Sequence, residues 1–196
     1  MSTPQFKEPV GYCPEILANS IPVAVREFAQ ALVSSRQLPL PLEISDIKPE
    51  QSHSENQLRS ASSQLDHHPG YEEWLHWMSY WISEFSALTA ASAVDMTMSH
   101  SSKPNCPRFH SDYVSMRLIC TLFGPGTQWL NHSDVARAKD GAIEQNYSTD
   151  VIQQLPESCV GLFPGNAYIS EKDCGVVHRS PPDEVDRILV TLDVAQ

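Results

Sequence analysis

The sequence predicts an α+β domain, with helices and irregular chain in its N-terminal half and a β-sandwich or barrel in its C-terminal half. Three observations predict it. Large apolar groups recur at helical spacing through Tyr71–Thr89, short β-type runs bounded by turn formers fill the chain from Ala93 onward, and 15 prolines forbid a fold of long helices. A chain of 196 residues suits one core and is short for two independent globules. The expected division is an extension over residues 1–92 packing on a β core over residues 93–196, one structural domain overall.

Residues 1–20 read as an irregular lead-in. Ile21-Pro-Val-Ala-Val-Arg-Glu-Phe-Ala-Gln-Ala-Leu-Val reads as a helix. Pro22 is tolerated in its first turn, where a missing N–H breaks no bond, and the helix should stop near Arg36, ahead of Pro39 and Pro41. Residues 45–68 are polar and read as a partly helical surface segment, since little of them can be buried. Trp74, Trp77, Met78, Trp81 and Phe85 then repeat at i, i+3, i+4 and i+7, the face of a helix packed on the sheet; a platform for substrate is the other reading. Strands are expected at Val94-Asp-Met-Thr-Met, Met116-Arg-Leu-Ile-Cys-Thr-Leu-Phe, Cys159-Val-Gly-Leu-Phe, Asn166-Ala-Tyr-Ile-Ser, Cys174-Gly-Val-Val-His and Arg187-Ile-Leu-Val-Thr-Leu-Asp-Val. Gly124-Pro-Gly, Pro164-Gly-Asn and Ser180-Pro-Pro are the turns between them.

Composition narrows the function classes. With 13 basic against 24 acidic residues and a net charge of −11, the chain repels a phosphate backbone, so no nucleic-acid partner is expected. No apolar run approaches the roughly 20 residues needed to span a bilayer, and the N-terminus lacks a basic start followed by an apolar stretch. A cytoplasmic protein without membrane contact is expected. Five cysteines without C-x-x-C spacing indicate neither a disulfide framework nor a zinc ribbon. No Ser-His-Asp or Cys-His order suggests a hydrolase, and Gly124-Pro-Gly lacks the Lys-Ser/Thr of a phosphate loop.

The chemistry concentrates in Asn105-Cys-Pro-Arg-Phe-His110-Ser-Asp112-Tyr-Val-Ser-Met-Arg. Alternate residues of an extended backbone point the same way, so His110 and Asp112 can offer an imidazole nitrogen and a carboxylate oxygen to one ion. His178, at the end of another strand-like run, is the third candidate ligand. Two imidazoles and one carboxylate leave the opposite coordination positions open, the arrangement of non-haem Fe(II) oxygenases. Arg187 follows across the Ser180-Pro-Pro turn and begins the next strand, where period two places it on one face with Leu189 and Thr191. A buried guanidinium needs an anion and holds a carboxylate bidentately. Arg179 reads either as a residue that orients His178 or touches substrate, or as an exposed strand-end arginine, and Arg117 reads either as the partner of a carboxylate under the sheet or, more plainly, as a solvent-facing strand arginine. His132-Ser-Asp134 repeats the H-x-D pattern but reads as a helix start capped by Asn131 or Ser133. Cys106 and Cys174 precede His110 and His178 at equal spacing, so thiolate ligation is a further possibility, with small buried cysteines the plainer one.

At these residues, from about Ala93 to Val194, the chain resembles the double-stranded β-helix dioxygenases that use Fe(II) and 2-oxoglutarate, particularly their prolyl-hydroxylase-like branch. The resemblance implies a jelly-roll, cupin-like core with N-terminal packing helices. It implies His110, Asp112 and His178 as iron ligands, Arg187 as the residue binding the distal carboxylate of 2-oxoglutarate, and Thr191 as a pocket-lining position. No tyrosine occupies Arg117–Phe123, where several such hydroxylases place a carboxylate partner. The strings Cys-Pro-x-Phe-His-x-Asp, Gly-Pro-Gly-Thr-x-Trp-Leu and Val-His-Arg-Ser-Pro-Pro also resemble a bacterial domain family of unknown function. Two further readings are a cupin-like metalloprotein holding Zn²⁺, Ni²⁺ or Mn²⁺ and a non-catalytic module whose Trp-bearing helix meets a partner.

Overall fold

Strand pairing decides the architecture. The computed structural model describes residues 13–18, 20–35, 40–157, 159–167 and 175–195. Its strands are β1 (Glu15–Leu17), β2 (Leu42–Ile47), β3 (Val94–Ser101), β4 (Met116–Phe123), β5 (Gln128–Leu130), β6 (Ile152–Gln154), β7 (Val160–Pro164), β8 (His178–Arg179) and β9 (Arg187–Val194). A six-stranded sheet runs β1-β7-β4-β9-β3-β2 and a three-stranded sheet runs β6-β5-β8, with every pairing antiparallel. An isolated bridge between His110 and His178 extends the smaller sheet by one more segment. From β3 onward the chain passes back and forth between the two sheets, through the His110 segment, β4, the β5–β6 pair, β7, β8 and β9, the winding of a double-stranded β-helix, and the fold class is α+β as expected.

Period two along β9 shows how the core is divided. Ile188, Val190 and Leu192 pack with Leu118, Cys120 and Leu122 of β4 and with Met96 and Met98 of β3 in one cluster under the helices. Their neighbours Ile119 and Leu189 turn the other way, toward Trp129, Phe163, Leu155 and Val176, between the two sheets. The first face is the floor for α1 (Val23–Ser34), α2 (Gln51–Ala61) and α3 (Tyr71–Thr89). In α1 the buried side chains Val25, Phe28, Ala29 and Leu32 fall on one stripe, and Pro22 stands at the N-cap. In α3, Trp74, Trp77, Met78, Trp81 and Phe85 are all buried, so the aromatic stripe is core and offers neither a substrate platform nor a partner surface. Burying each such ring contributes on the order of 3 kcal/mol. α2 adds few apolar contacts and is tied to α3 through Ser54 and Ser79, whose hydroxyls lie 2.7 Å apart.

Four strands differ from the sequence reading. β1 lies in the assumed irregular lead-in and β2 starts before, and runs into, the assumed polar surface segment; each supplies an edge strand of the large sheet. β2 was hard to read because its register shifts between Ile44 and Ile47, and Asp46 takes a positive φ of 56° at that irregularity. β5 and β6 were not expected either. The expected strands at Asn166-Ala-Tyr-Ile-Ser and Cys174-Gly-Val-Val-His lie partly outside the described residues, as do Arg36 and Cys174. Among the described residues, no helix is long and apolar enough to cross a membrane.

Candidate metal centre

The His110–His178 bridge builds the site. The two residues exchange both backbone hydrogen bonds, at 3.0 and 2.8 Å, so their side chains stand directly opposite on one face, ring centroids 4.6 Å apart. Each ring is also held from behind. Nδ1 of His110 lies 2.9 Å from the carbonyl of Arg108, and Nδ1 of His178 lies 3.0 Å from the carbonyl of Val176. Both Nδ1 atoms therefore donate, which turns each Nε2 toward Asp112 as the atom a cation would take from a neutral ring.

Asp112 completes the set. It follows the bridge on irregular backbone rather than within a strand, and reaches the histidines because its loop is tied down. The N–H groups of Gly165, Asn166 and Ala167 bond the carbonyls of Ser115, Asp112 and Val114, and Asn166 Nδ2 donates to Ser111 Oγ at 2.9 Å. Asn166 was not singled out from the sequence; the Pro164-Gly-Asn turn was its only signal. Asp112 Oδ1 lies 3.5 Å from His110 Nε2, and Oδ2 lies 3.4 Å from His178 Nε2. One donor atom from each of the three residues falls within 4.8 Å of the others, the one such group among the described residues. Two nitrogens and a carboxylate oxygen at this spacing fit a divalent first-row ion.

Electrostatics agree with the geometry. Burial pushes the Asp112 carboxyl up, but hydrogen bonds from His110 and His178 and the charges of His178 and Arg117 outweigh it, holding the group well below the usual carboxylate range. The hydrogen bond to Asp112 raises His110, with burial opposing. The His110 side chain is 36% exposed and that of His178 9%, so the triad opens to solvent on the His110 side.

Arg187 sits on the inter-sheet face of β9 and is 6% exposed. Its Nε donates to the carbonyl of Pro125 at 3.0 Å, and its Nη2 donates to Thr121 at 3.1 Å and Thr127 at 2.7 Å. All three acceptors are neutral. Burial draws this guanidinium down from 12.5 to about 10, with Cys120 acting the other way, so it remains a cation at neutral pH. Thr121 occupies the strand on which no tyrosine was found, and sequence reasoning missed both threonines because nothing local marks them. Thr191 lies further along the same face, paired with Ile119 and Thr97, half-buried.

Gly124 opens the turn that carries Pro125 and Thr127. Its φ is +83°, and a Cβ there would lie 2.3 Å from the carbonyl oxygen of Asp186, the residue before Arg187. Gly124→Ala is therefore expected to cost about 1–3 kcal/mol, from left-handed strain and the clash, and to lower the melting temperature by several degrees in a thermal unfolding scan.

Two arginines carried alternative readings. Arg179 does not orient His178, a task held by the Val176 carbonyl. It points to the opposite face of β8, its Nε on Gln128 Oε1 at 2.9 Å and its guanidinium 4.3 Å from the Phe109 ring centroid. Arg117 takes the first of its two readings: it is half-buried and paired with the carboxylates of Asp112 and Asp193 instead of facing solvent. Of the other candidates, His132–Asp134 forms one 3₁₀ turn in which Asn131 Nδ2 bonds Asp134 Oδ2 at 3.1 Å, and Cys106 is exposed and outside the triad.

Residues 15–193 match the model of a family described as "Protein of unknown function (DUF1826)". The chain belongs to this family. No curated protein matches this DUF1826 chain. Among solved structures it is similar to a Pseudomonas putida prolyl-4-hydroxylase, at 12% identity and TM-score 0.47, covering 95% of this chain and 89% of that one. It is also similar to a dioxygenase for auxin oxidation in rice, at 16% identity and TM-score 0.45, covering 88% of this chain and 63% of the rice chain, whose length it therefore spans only in part. A third is the viral collagen prolyl hydroxylase of Paramecium Bursaria Chlorella virus-1, at 8% identity and TM-score 0.42, covering 98% and 97%.

Proposed function

We propose that this DUF1826 chain is a non-haem Fe(II)- and 2-oxoglutarate-dependent oxygenase of the hydroxylase type. The observation that carries the reading is a pairing on one barrel. A His110–Asp112–His178 triad whose Nε2 atoms both face the Asp112 carboxylate is accompanied, on the same two-sheet fold, by a buried cation, Arg187, whose acceptors are all neutral oxygens. Such a combination suits a cosubstrate that chelates a metal at one end and is anionic at the other.

Bound iron, with 2-oxoglutarate and O₂, would supply the oxidant for a substrate C–H while the 2-oxo acid is decarboxylated to succinate. The chain's own task is placement. Nε2 of His110, Nε2 of His178 and a carboxylate oxygen of Asp112 would hold the ion, their rings set by the Arg108 and Val176 carbonyls. Arg187 would bind the distal carboxylate through its remaining N–H groups, joined by the hydroxyl hydrogens of Thr121 and Thr127, whose oxygens it already occupies. Thr191 would line the space between. Phe163, with its ring centroid 5.5 Å from that of His178, covers one side of the triad and belongs to the apolar cluster of Ile119, Leu189 and Trp129.

Metal analysis followed by succinate measurement tests the reading. One iron per chain after anaerobic loading, with succinate formed from 2-oxoglutarate in air, is the expected result. A different, tightly held metal without succinate would favour a cupin-like metalloprotein, and absence of metal binding would exclude both.

A further inference from the structure

Arg117 and Asp193 are not members of the metal triad, and the oxygenase reading gives them no task. The register of β4 and β9 sets them side by side. Arg117 Nε and Nη2 donate to the two oxygens of Asp193 at 2.7 and 2.8 Å, a fork-to-fork pair. The remaining arm, Nη1, donates to Asp112 Oδ2 at 2.5 Å. All three groups are half-buried. A guanidinium clamped to the rigid sheet thus reaches out to the one triad member that lies on irregular backbone.

We infer that Arg117 is a positioning residue for the metal ligand Asp112, holding its Oδ2 so that Oδ1 alone is offered to a cation, with Asp193 clamping the guanidinium and cancelling its charge. The inference rests on the metal reading above. A carboxylate free to rotate can bind an ion through one oxygen or two. Two-oxygen binding would fill a position that a chelating cosubstrate and O₂ require, because an octahedral ion with three protein donors keeps three open. Occupying Oδ2 removes that option. An arginine so near a cation would also repel it, and the bidentate Asp193 offsets that repulsion: Asp112, Arg117 and Asp193 together carry a single negative charge. His110 and His178 are fixed by backbone carbonyls, so Asp112 is the member whose orientation depends on a side chain.

Co²⁺ alone, titrated into the full chain, tests this through its binding isotherm and its d–d absorption bands. Arg117→Met is expected to weaken Co²⁺ binding by about 10–100-fold and to change the d–d bands, because Asp112 can then turn both oxygens to the ion. Asp193→Asn is expected to weaken binding in the same direction without touching a ligand. The double variant should bind within about twofold of Arg117→Met, since both changes disable one network. Arg117→Lys, which keeps the charge but loses the fork, should fall between. Thermal unfolding scans establish that each variant is folded, and if Arg117→Met is not, Asp193→Asn and Arg117→Lys decide the matter. A parent protein that binds Co²⁺ while its folded variants match its affinity within about twofold and keep its spectrum overturns the role of Arg117 alone. A parent protein that does not bind Co²⁺ overturns the metal reading, and this inference with it.

Discussion

Arg187→Met is expected to abolish 2-oxoglutarate-dependent succinate formation, lowering kcat/KM for the 2-oxo acid by at least about 100-fold, while the affinity of the triad for its metal stays within about twofold. Hydrogen bonds to charged groups contribute about 1.5–3 kcal/mol each, and methionine supplies none of the guanidinium donors. It does keep an unbranched stem, so packing against the inter-sheet core is preserved. Two effects on stability oppose each other: a buried charge is removed, but Pro125, Thr121 and Thr127 lose their donor. The variant should therefore remain folded, and steady-state kinetics beside a metal-binding isotherm give the answer. Equal succinate turnover in parent and variant would refute the assigned role. Lysine should restore only part of the activity, because one ammonium cannot reach Pro125 and both threonines as a fork does.

Asp112→Ala is expected to remove metal binding, weakening Co²⁺ or Fe²⁺ affinity by at least about 100-fold. The substitution deletes the one anionic donor and leaves two neutral imidazoles to hold a dication. It also deprives Arg117 of the partner of its third arm while Asp193 keeps the other two, so the sheet beneath should stay intact. Asp134→Asn, in the second H-x-D triplet, serves as the comparison. Asp134 lies in a local 3₁₀ turn bonded by Asn131, and its replacement should leave metal affinity unchanged. Isothermal titration of the three proteins separates the cases. A metal affinity in Asp112→Ala equal to that of the parent would exclude the triad.

Much of the frame was legible because its signals are periodic. The stripe from Trp74 to Phe85 and the alternation from Arg187 to Val194 are long enough for one face to declare itself, and both face the core as expected. β5 and β6 span three residues each, too few for alternation to register, and the bulge in β2 breaks the pattern where it would have shown. Arg117 shows the same limit at a single side chain. A carboxylate partner under the sheet is one of its two sequence readings, but that the partner is Asp193 follows from the pairing of β4 with β9, two strands far apart in the chain.

By itself the sequence determined which residue types are available and on which face of each element they lie: His110, Asp112 and His178 as donors, Arg187 on the inner side of its strand, and the aromatic helix face as core. Those are local properties of side-chain chemistry and backbone period. Only the tertiary structure decided that Val176 rather than Arg179 orients His178, that Thr121 and Thr127 surround Arg187, and that Arg117 reaches Asp112. Each of these is a contact between segments distant in the chain, set by strand register and sheet facing, and register is a property of paired strands that neither strand carries alone.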